Sequence, residues 1–281
     1  MKITVAKSAG FCFGLRRALN ISLDAVTKGK PVEMLGDIVH NEDVVAKIEQ
    51  SGIKKVSTLK NGADKILLIH AHGISESTIK KAQSLGYNII NATCPRVKEI
   101  HNIVQTMDQQ GYSIIVIGDR KHDEVKGIRG QIKSKTIVIE NIKHIPFDEL
   151  EHMDKAAVVA QSTQMPEHVL EIVEILKQRI KNLAFFNTIC RATKARQNEI
   201  KTLCIKNDVV FVIGSKTSGN TKRLYEISKR LNKHTHWIQS KNNIRPDWFQ
   251  NAQNVGITAG ASTPEETIKS VVDHIQTINK S

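Results

Sequence analysis

Hydrophobic positions along the chain fall into two alternating kinds of segment. Short apolar, β-branched runs recur as KITVA, KILLIHA, NIINA, YSIIVIG, KTIVIE, AAVVA, DVVFVIG and NVGITAG. Most do not alternate apolar with polar, which is the pattern of strands covered on both faces of a parallel sheet. Between them, VVAKIEQSG, ESTIKKAQSLG, PRVKEIHNIVQTMDQQG, PEHVLEIVEILKQRIKN, TKRLYEISKRLNK and PEETIKSVVDHIQTI space apolar residues as helices do, and several open on Pro or Ser/Thr/Asn signals or end in Gly. Strands alternating with amphipathic helices predict an α/β protein with parallel sheets.

Cysteines add a repeat to this pattern. Cys12 and Cys94 are 82 residues apart, Cys94 and Cys190 are 96 apart, and 91 residues follow Cys190, so each interval is close to a third of the chain. AGFCFGLRRALN, NATCPRVKEIHN and NTICRATKARQN all place Cys at the start of an expected helix with basic residues just after it. No low-complexity linker separates the thirds.

Composition narrows the classes. With 281 residues and 40% hydrophobic content the chain has material for real cores. Its longest apolar runs, Val209 to Ile213 and Ala156 to Ala160, are five residues, far short of the roughly 20 that a membrane-spanning helix needs. No apolar stretch of signal-peptide length opens the sequence, so a cytoplasmic protein is expected. Four widely spaced cysteines without a CxxC cluster exclude zinc-finger, thioredoxin and ferredoxin motifs. Lys+Arg 41 against Asp+Glu 28 gives a net charge of +13, which calls for an acidic partner. Nucleic acid is one such partner, but aromatics are only 4%, leaving few stacking platforms, and the basic residues are spread along helix faces.

Thiols at helix starts are favoured as thiolates by free N–H groups and the helix dipole. Cys12, Cys94 and Cys190 suit a zinc site completed by a histidine, a 4Fe-4S cluster with one iron lacking a thiolate, or simple packing at strand-helix junctions. Cys204, on the apolar side of a helix, reads as packing. His40 ends the strand-like run VEMLGDIVH, His72 follows KILLIHA and His122 follows IIVIGDRK, so each lies past a strand and before a helix, where open parallel sheets bind ligands such as a diphosphate or a metal. His70, His101, His144, His152, His168, His234, His236 and His274 have no such matched setting. The turns VIGSKTSGNTKRL and ITAGASTPEETI supply small residues, hydroxyls, Asn220 and helix N-termini to an anion, and neither is a P-loop. Glu124, two residues from His122, places a carboxyl group in the same pocket as an acid or base.

Taken in order, GFCFGLRRA, VHNEDVV, AHGIS, NATCPRVKEIH, KHDEVKG, AQSTQ, TICRATKARQ, GSKTSGNTKRL and TAGASTPE cover essentially the whole chain. Together they resemble the 4-hydroxy-3-methylbut-2-enyl diphosphate reductases, the LytB or IspH family. The resemblance implies three similar α/β domains with parallel sheets in a cloverleaf around a central iron-sulfur cluster. These would be residues 14–94, 95–188 and 189–281, the last completed by the N-terminal strand 1–13. It implies one 4Fe-4S cluster held by Cys12, Cys94 and Cys190, with one iron open to substrate. The diphosphate would be bound by His40, His72, His122, Ser218, Asn220 and Ser262, with Glu124 as proton donor. The reaction implied is a two-electron, two-proton removal of the substrate's allylic hydroxyl, giving isopentenyl and dimethylallyl diphosphate, with electrons from an acidic flavodoxin or ferredoxin. Ser162 stands where the family usually has Thr and keeps the hydroxyl that meets the substrate alcohol. Gly219 stands where the family has a second Ser, leaving a backbone N–H in place of a side-chain contact, and Arg191 replaces a common aromatic residue. A zinc hydrolase built from the same Cys and His set is the competing enzyme class.

Overall fold

The computed structural model describes residues 1–151 and 153–278; His152 lies outside the described residues. Twelve strands among them form three four-stranded sheets in which every pairing is parallel. One sheet is built from β2 (Val32–Leu35), β3 (Ile53–Val56), β4 (Ile66–Ile69) and β5 (Asn88–Asn91), in the order β3-β2-β4-β5. The next is built from β6 (Ser113–Ile117), β7 (Thr136–Ile139), β8 (Lys155–Ala160) and β9 (Asn182–Phe186), in the order β7-β6-β8-β9. The third combines β10 (Val209–Ile213), β11 (Thr235–Ile238) and β12 (Asn254–Ala259) with the N-terminal β1 (Lys2–Val5), in the order β11-β10-β12-β1. All three share one topology, with the last strand of the third sheet supplied from the beginning of the chain.

Ten α-helices complete the described chain. They are α1 (Phe13–Val26), α2 (Glu42–Gln50), α3 (Glu76–Ser84), α4 (Pro95–Gln109), α5 (Asp123–Arg129), α6 (Phe147–Leu150), α7 (Pro166–Lys177), α8 (Arg191–Lys206), α9 (Gly219–Leu231) and α10 (Glu265–Ile278). The chain divides into two compact units. One comprises Met1–Arg16, His40–Val45 and Arg191–Ser281, and the other Arg17–Val39 and Ala46–Cys190. We propose three domains, 14–94, 95–188 and 189–281 with 1–13, because each sheet closes within one of those ranges.

The second sheet shows why these residues fold this way. Successive side chains of a strand point to opposite faces. Ile115, Ile117 and Val158 therefore pack with Val169, Ile172, Val173 and Leu176 of α7. Ile114, Val116 and Val159 pack on the other face with Ile100 and Val104 of α4 and Val125 and Ile128 of α5. Burial on both faces, at about 1.5–3 kcal/mol for each large aliphatic side chain, requires an unbroken apolar strand. β6, β8, β10 and β12 have that form and are buried almost throughout. Three strands that the apolar pattern does not mark, β3 (IKKV), β9 (NLAFF) and β11 (THWI), are all sheet edges, where one flank is unpaired and polar residues are accommodated. The strand-like run VEMLGDIVH is strand only over β2. Gly36, at φ 74°, turns the chain there, so His40 lies in a loop, five residues past the end of β2.

Central strand β2 carries one buried charge, Glu33, which is 8% exposed. Its carboxylate accepts hydrogen bonds from Lys65 Nζ at 2.8 Å and Tyr87 Oη at 2.5 Å. Burial alone would raise the Glu33 carboxyl, but the Lys65 and Tyr87 donors outweigh it and hold the group below the usual value. A depressed carboxylate contributes stability above its unfolded pKa and loses that contribution as pH falls through its folded pKa. Glu33→Gln is therefore expected to cost about 2 kcal/mol at pH 7. The gap from the parent protein should close toward pH 3, as read by chemical denaturation at both pH values.

Candidate active site

In each sheet the two central strands, β2 and β4, β6 and β8, or β10 and β12, send their connections to opposite sides. This is the switch point where parallel sheets hold ligands, beyond the carboxyl ends of the strands. His40 follows β2 and His72 follows β4; His122 and Glu124 follow β6 and Ser162 follows β8; Ser218, Gly219 and Asn220 follow β10 and Ser262 follows β12. Every expected polar site residue thus lies beyond a central strand. The cysteines occupy the matching place after the edge strands β1, β5 and β9.

One backbone hydrogen bond repeats at all three cysteines. Cys12 N–H donates to Ala261 O at 3.3 Å, Cys94 N–H to Ala71 O at 2.9 Å, and Cys190 N–H to Ser162 O at 2.9 Å. Each acceptor lies two residues past the end of the adjoining strand, β12, β4 or β8. All three side chains are half-buried and each immediately precedes a helix, α1, α4 or α8. No disulfide forms among the described residues. Half-buried thiols at helix starts are the type of ligand that an iron-sulfur cluster takes. Cys204 is different: it is buried against Ser228, and burial pushes its thiol up.

Within the larger unit, Glu124 is 2% exposed near the start of α5. Its Oε1 accepts from Ser162 N at 2.6 Å and its Oε2 from Ser162 Oγ at 2.8 Å. Burial raises the carboxyl, and the two Ser162 donors offset only part of that rise, so the protonated acid is favoured relative to an ordinary carboxyl group. His122 caps α5, its Nδ1 accepting from Glu124 N at 3.1 Å. The neutral imidazole therefore carries its proton on Nε2, leaving that nitrogen as a donor. The rings of His72 and His122 are 5.4 Å apart, and those of His70 and His72 are 5.6 Å apart.

Two supports in this unit are invisible in the sequence. Gln161 Oε1 accepts from Asp119 N at 2.9 Å, tying the loop after β8 to the loop after β6, while its buried Nε2 has no hydrogen-bond partner among the described residues. His101 packs under the His72 loop, so close to Gly73 that a side chain there would come within 2.7 Å of its ring. Burial, assisted by Lys98, lowers the His101 pKa to about 4 and keeps it neutral.

Within the other unit, Ser262 Oγ donates to His40 O at 2.9 Å. Ser218 caps α9, its Oγ accepting from Thr221 N at 3.3 Å, which leaves the hydroxyl proton to donate elsewhere. Gly219 and Asn220 open α9, where first-turn N–H groups have no intrahelical acceptor. Asn220 Nδ2 is buried without a hydrogen-bond partner among the described residues. These donors form a cradle suited to an anion. Glu42, unmarked in the sequence, accepts from Ser215 Oγ at 2.8 Å and Gln239 Nε2 at 3.4 Å, linking the His40 segment to the turns after β10 and β11. Arg191 is exposed at the start of α8, and nothing in the structure explains its presence there.

Three like parallel sheets, each with a half-buried thiol beyond an edge strand and polar side chains beyond the central pair, define an α/β protein of repeated parallel sheets with one such thiol apiece. The family model described as LytB protein matches residues 3–276, and the chain belongs to that family. It is 36% identical to the 4-hydroxy-3-methylbut-2-enyl diphosphate reductase of Caldanaerobacter subterraneus subsp. tengcongensis, over 99% of this chain and 98% of that protein. It is 38% identical to the enzyme of the same name from Geotalea uraniireducens, over 100% of this chain and 99% of that protein. A solved (E)-4-hydroxy-3-methyl-but-2-enyl diphosphate reductase, described as the terminal enzyme of the non-mevalonate pathway, superposes with a TM-score of 0.73 at 36% identity, covering 98% of this chain and 99% of that one. The E-1-hydroxy-2-methyl-but-2-enyl-4-diphosphate reductase of Plasmodium falciparum superposes with a TM-score of 0.88 at 28% identity, covering 97% of this chain and 87% of that one.

Glu42→Ala removes the hydrogen bonds between the His40 segment and the turns after β10 and β11. Pyrophosphate binding to the full chain, followed by calorimetry, is expected to weaken about three- to tenfold, the scale of losing the 2.8 Å charge-assisted bond of Ser215 together with the longer, weaker one of Gln239. Glu42→Gln, which keeps an acceptor oxygen, should recover most of that affinity.

Proposed function

We propose that this protein is a 4-hydroxy-3-methylbut-2-enyl diphosphate reductase, acting at the last step of the non-mevalonate isoprenoid pathway in the cytoplasm. The observation that carries this reading is the double use of Ser162. Its N–H and hydroxyl hold the buried acid Glu124, and its carbonyl takes the N–H of Cys190. A proton donor is thereby set one residue away from a thiol suited to a redox cluster. The relatives' shared activity, which requires both electrons and protons, supports the same reading.

In this proposal Cys12, Cys94 and Cys190 hold one 4Fe-4S cluster with one iron open to substrate. When bound, the cluster supplies two electrons and Lewis acidity. The chain's own residues do the rest. His40, Ser218, Gly219, Asn220 and Ser262 hold the diphosphate together with His72 and His122, largely through neutral donors. Ser262 does so while bonded to the His40 carbonyl, and Ser218 while capping α9. Gly219 contributes only its N–H, with no hydroxyl of its own. Ser162 hydroxyl orients the substrate alcohol and passes the proton of Glu124 to it, so that the departing oxygen leaves as water. A second proton completes the two products, isopentenyl and dimethylallyl diphosphate. An acidic flavodoxin or ferredoxin is the proposed electron donor, drawn by the excess of basic residues. Among the described residues no helix is long and apolar enough to cross a membrane.

Anaerobic purification with metal and sulfide analysis, followed by turnover with dithionite-reduced viologen, tests the assignment. About four iron and four sulfide per chain with reductase activity is the expected result; zinc without reductase activity would overturn it. Glu124→Gln should retain its iron and lose about 10²–10⁴-fold in kcat. In the parent enzyme kcat should fall as pH rises through the elevated pKa of Glu124, because the acid must hold its proton to act. That alkaline limb should be absent from the residual activity of Glu124→Gln.

A further inference from the structure

Three arginines that take no part in the proposed chemistry make the same kind of contact. Arg17, in the helix that follows Cys12, donates through Nη1 to Thr93 O at 3.3 Å, one residue before Cys94. Arg96, in the helix that follows Cys94, donates through Nε to Thr188 O at 3.3 Å and through Nη2 to Asn187 O at 2.9 Å, just before Cys190. Arg196, in the helix that follows Cys190, donates through Nη2 to Gly10 O at 2.6 Å, two residues before Cys12. Each cysteine's helix thus grips the approach to the next cysteine, and the third contact returns to the first.

These contacts are chemically demanding. Arg196 is only 4% exposed, and burying a guanidinium costs free energy unless its donors are used. Charge-assisted bonds from a planar guanidinium to carbonyl oxygens are directional and stronger than neutral ones. The approach to Cys12 is gripped twice, because Glu199, one turn beyond Arg196 on α8, accepts from Lys7 N at 2.6 Å, from Ser8 N at 2.9 Å and from Ser8 Oγ. At Gly10, φ is 89° and an added side chain would stand 3.1 Å from Ile268, so the connection has little room to shift.

We propose that Arg17, Arg96 and Arg196 are positioning residues forming a closed relay, in which each sets the presentation of the next cysteine: Arg17 that of Cys94, Arg96 that of Cys190, and Arg196 that of Cys12. Each thiol is thereby presented by a contact that starts on the helix of another cysteine. The relay rests on the iron-sulfur reading for its purpose, although the positional effect itself can be read without a cluster.

The test is site-resolved alkylation of the metal-free full chain with iodoacetamide, quantified by mass spectrometry, for Arg17→Met, Arg96→Met and Arg196→Met. Circular dichroism would check that each variant is folded. Methionine keeps apolar length and removes the donors. Each variant should raise the alkylation rate of the next cysteine at least threefold and leave the cysteine preceding its own helix within twofold. The matching Arg→Lys variants, which keep one donor, should fall between variant and parent. After reconstitution, each Met variant should lose iron to a chelator faster than the parent and show an altered signal from the reduced cluster in electron paramagnetic resonance. Equal changes at all three cysteines, or a change confined to the cysteine preceding the mutated arginine, would overturn the relay. A parent chain that takes up no iron-sulfur cluster would instead refute the functional reading, while the alkylation pattern would still decide the relay. For any Met variant that does not fold, the Lys variant provides the same comparison.

Discussion

The arrangement depends on one backbone hydrogen bond made three times, from the N–H of a cysteine after an edge strand to a carbonyl two residues past the adjoining strand. Parallel strands end in register, so the segments leaving their carboxyl ends run side by side for a short distance before diverging into helices. A hydrogen bond in that short stretch fixes where the edge-strand connection stops and the helix starts. The thiol is then carried on backbone determined by the sheet rather than on a free loop. Because the bonded carbonyls belong to Ala71, Ser162 and Ala261, each cysteine is also coupled to the loop that carries His72, Ser162 or Ser262.

Burial and hydrogen bonding act in opposite directions on the buried carboxyl groups of Glu33 and Glu124 and the half-buried one of Glu199, and the balance separates their roles. Glu33 and Glu199 meet enough donors to stay ionised despite burial, and each holds structure together. Glu124 is buried more completely and has only the donors of Ser162, so its pKa rises. The same side chain is a structural anion in one setting and a proton reservoir in another, decided by the number of donors that offset desolvation. His101 follows the same logic from the cationic side, with burial keeping it neutral beneath the His72 loop.

The excess of positive charge takes on a different meaning once the contacts are known. Nucleic acid is its most obvious partner on composition, yet the proposed diphosphate ligands are hydroxyls, amides, imidazoles and helix-start N–H groups rather than lysines and arginines. Arg17, Arg96 and Arg196 are turned toward backbone carbonyls near the cysteines. Basic residues after each cysteine are a visible sequence feature, and three of them, Arg17, Arg96 and Arg196, reach the approach to a different cysteine.

Much of the fold was legible in the sequence because it follows from short-range rules, whereas the proposed site was read from those rules together with the family resemblance. Apolar runs marked the central strands, helical spacing marked most of the helices, and the cysteine intervals revealed a threefold plan. Strands β3, β9 and β11 were not legible, because an edge strand needs no continuous apolar face. Glu42, Gln161 and His101 were also hidden, since their partners Ser215, Asp119 and Gly73 are brought to them only by folding. By itself the sequence determined which side chains follow which strands, and hence which chemistry is placed at the sheet ends. Only the tertiary structure decided that Glu124 is a buried acid, that Ser162 serves both it and Cys190, and which carbonyl each arginine holds. Desolvation and hydrogen-bond partnership are properties of surroundings, and a linear pattern does not contain them.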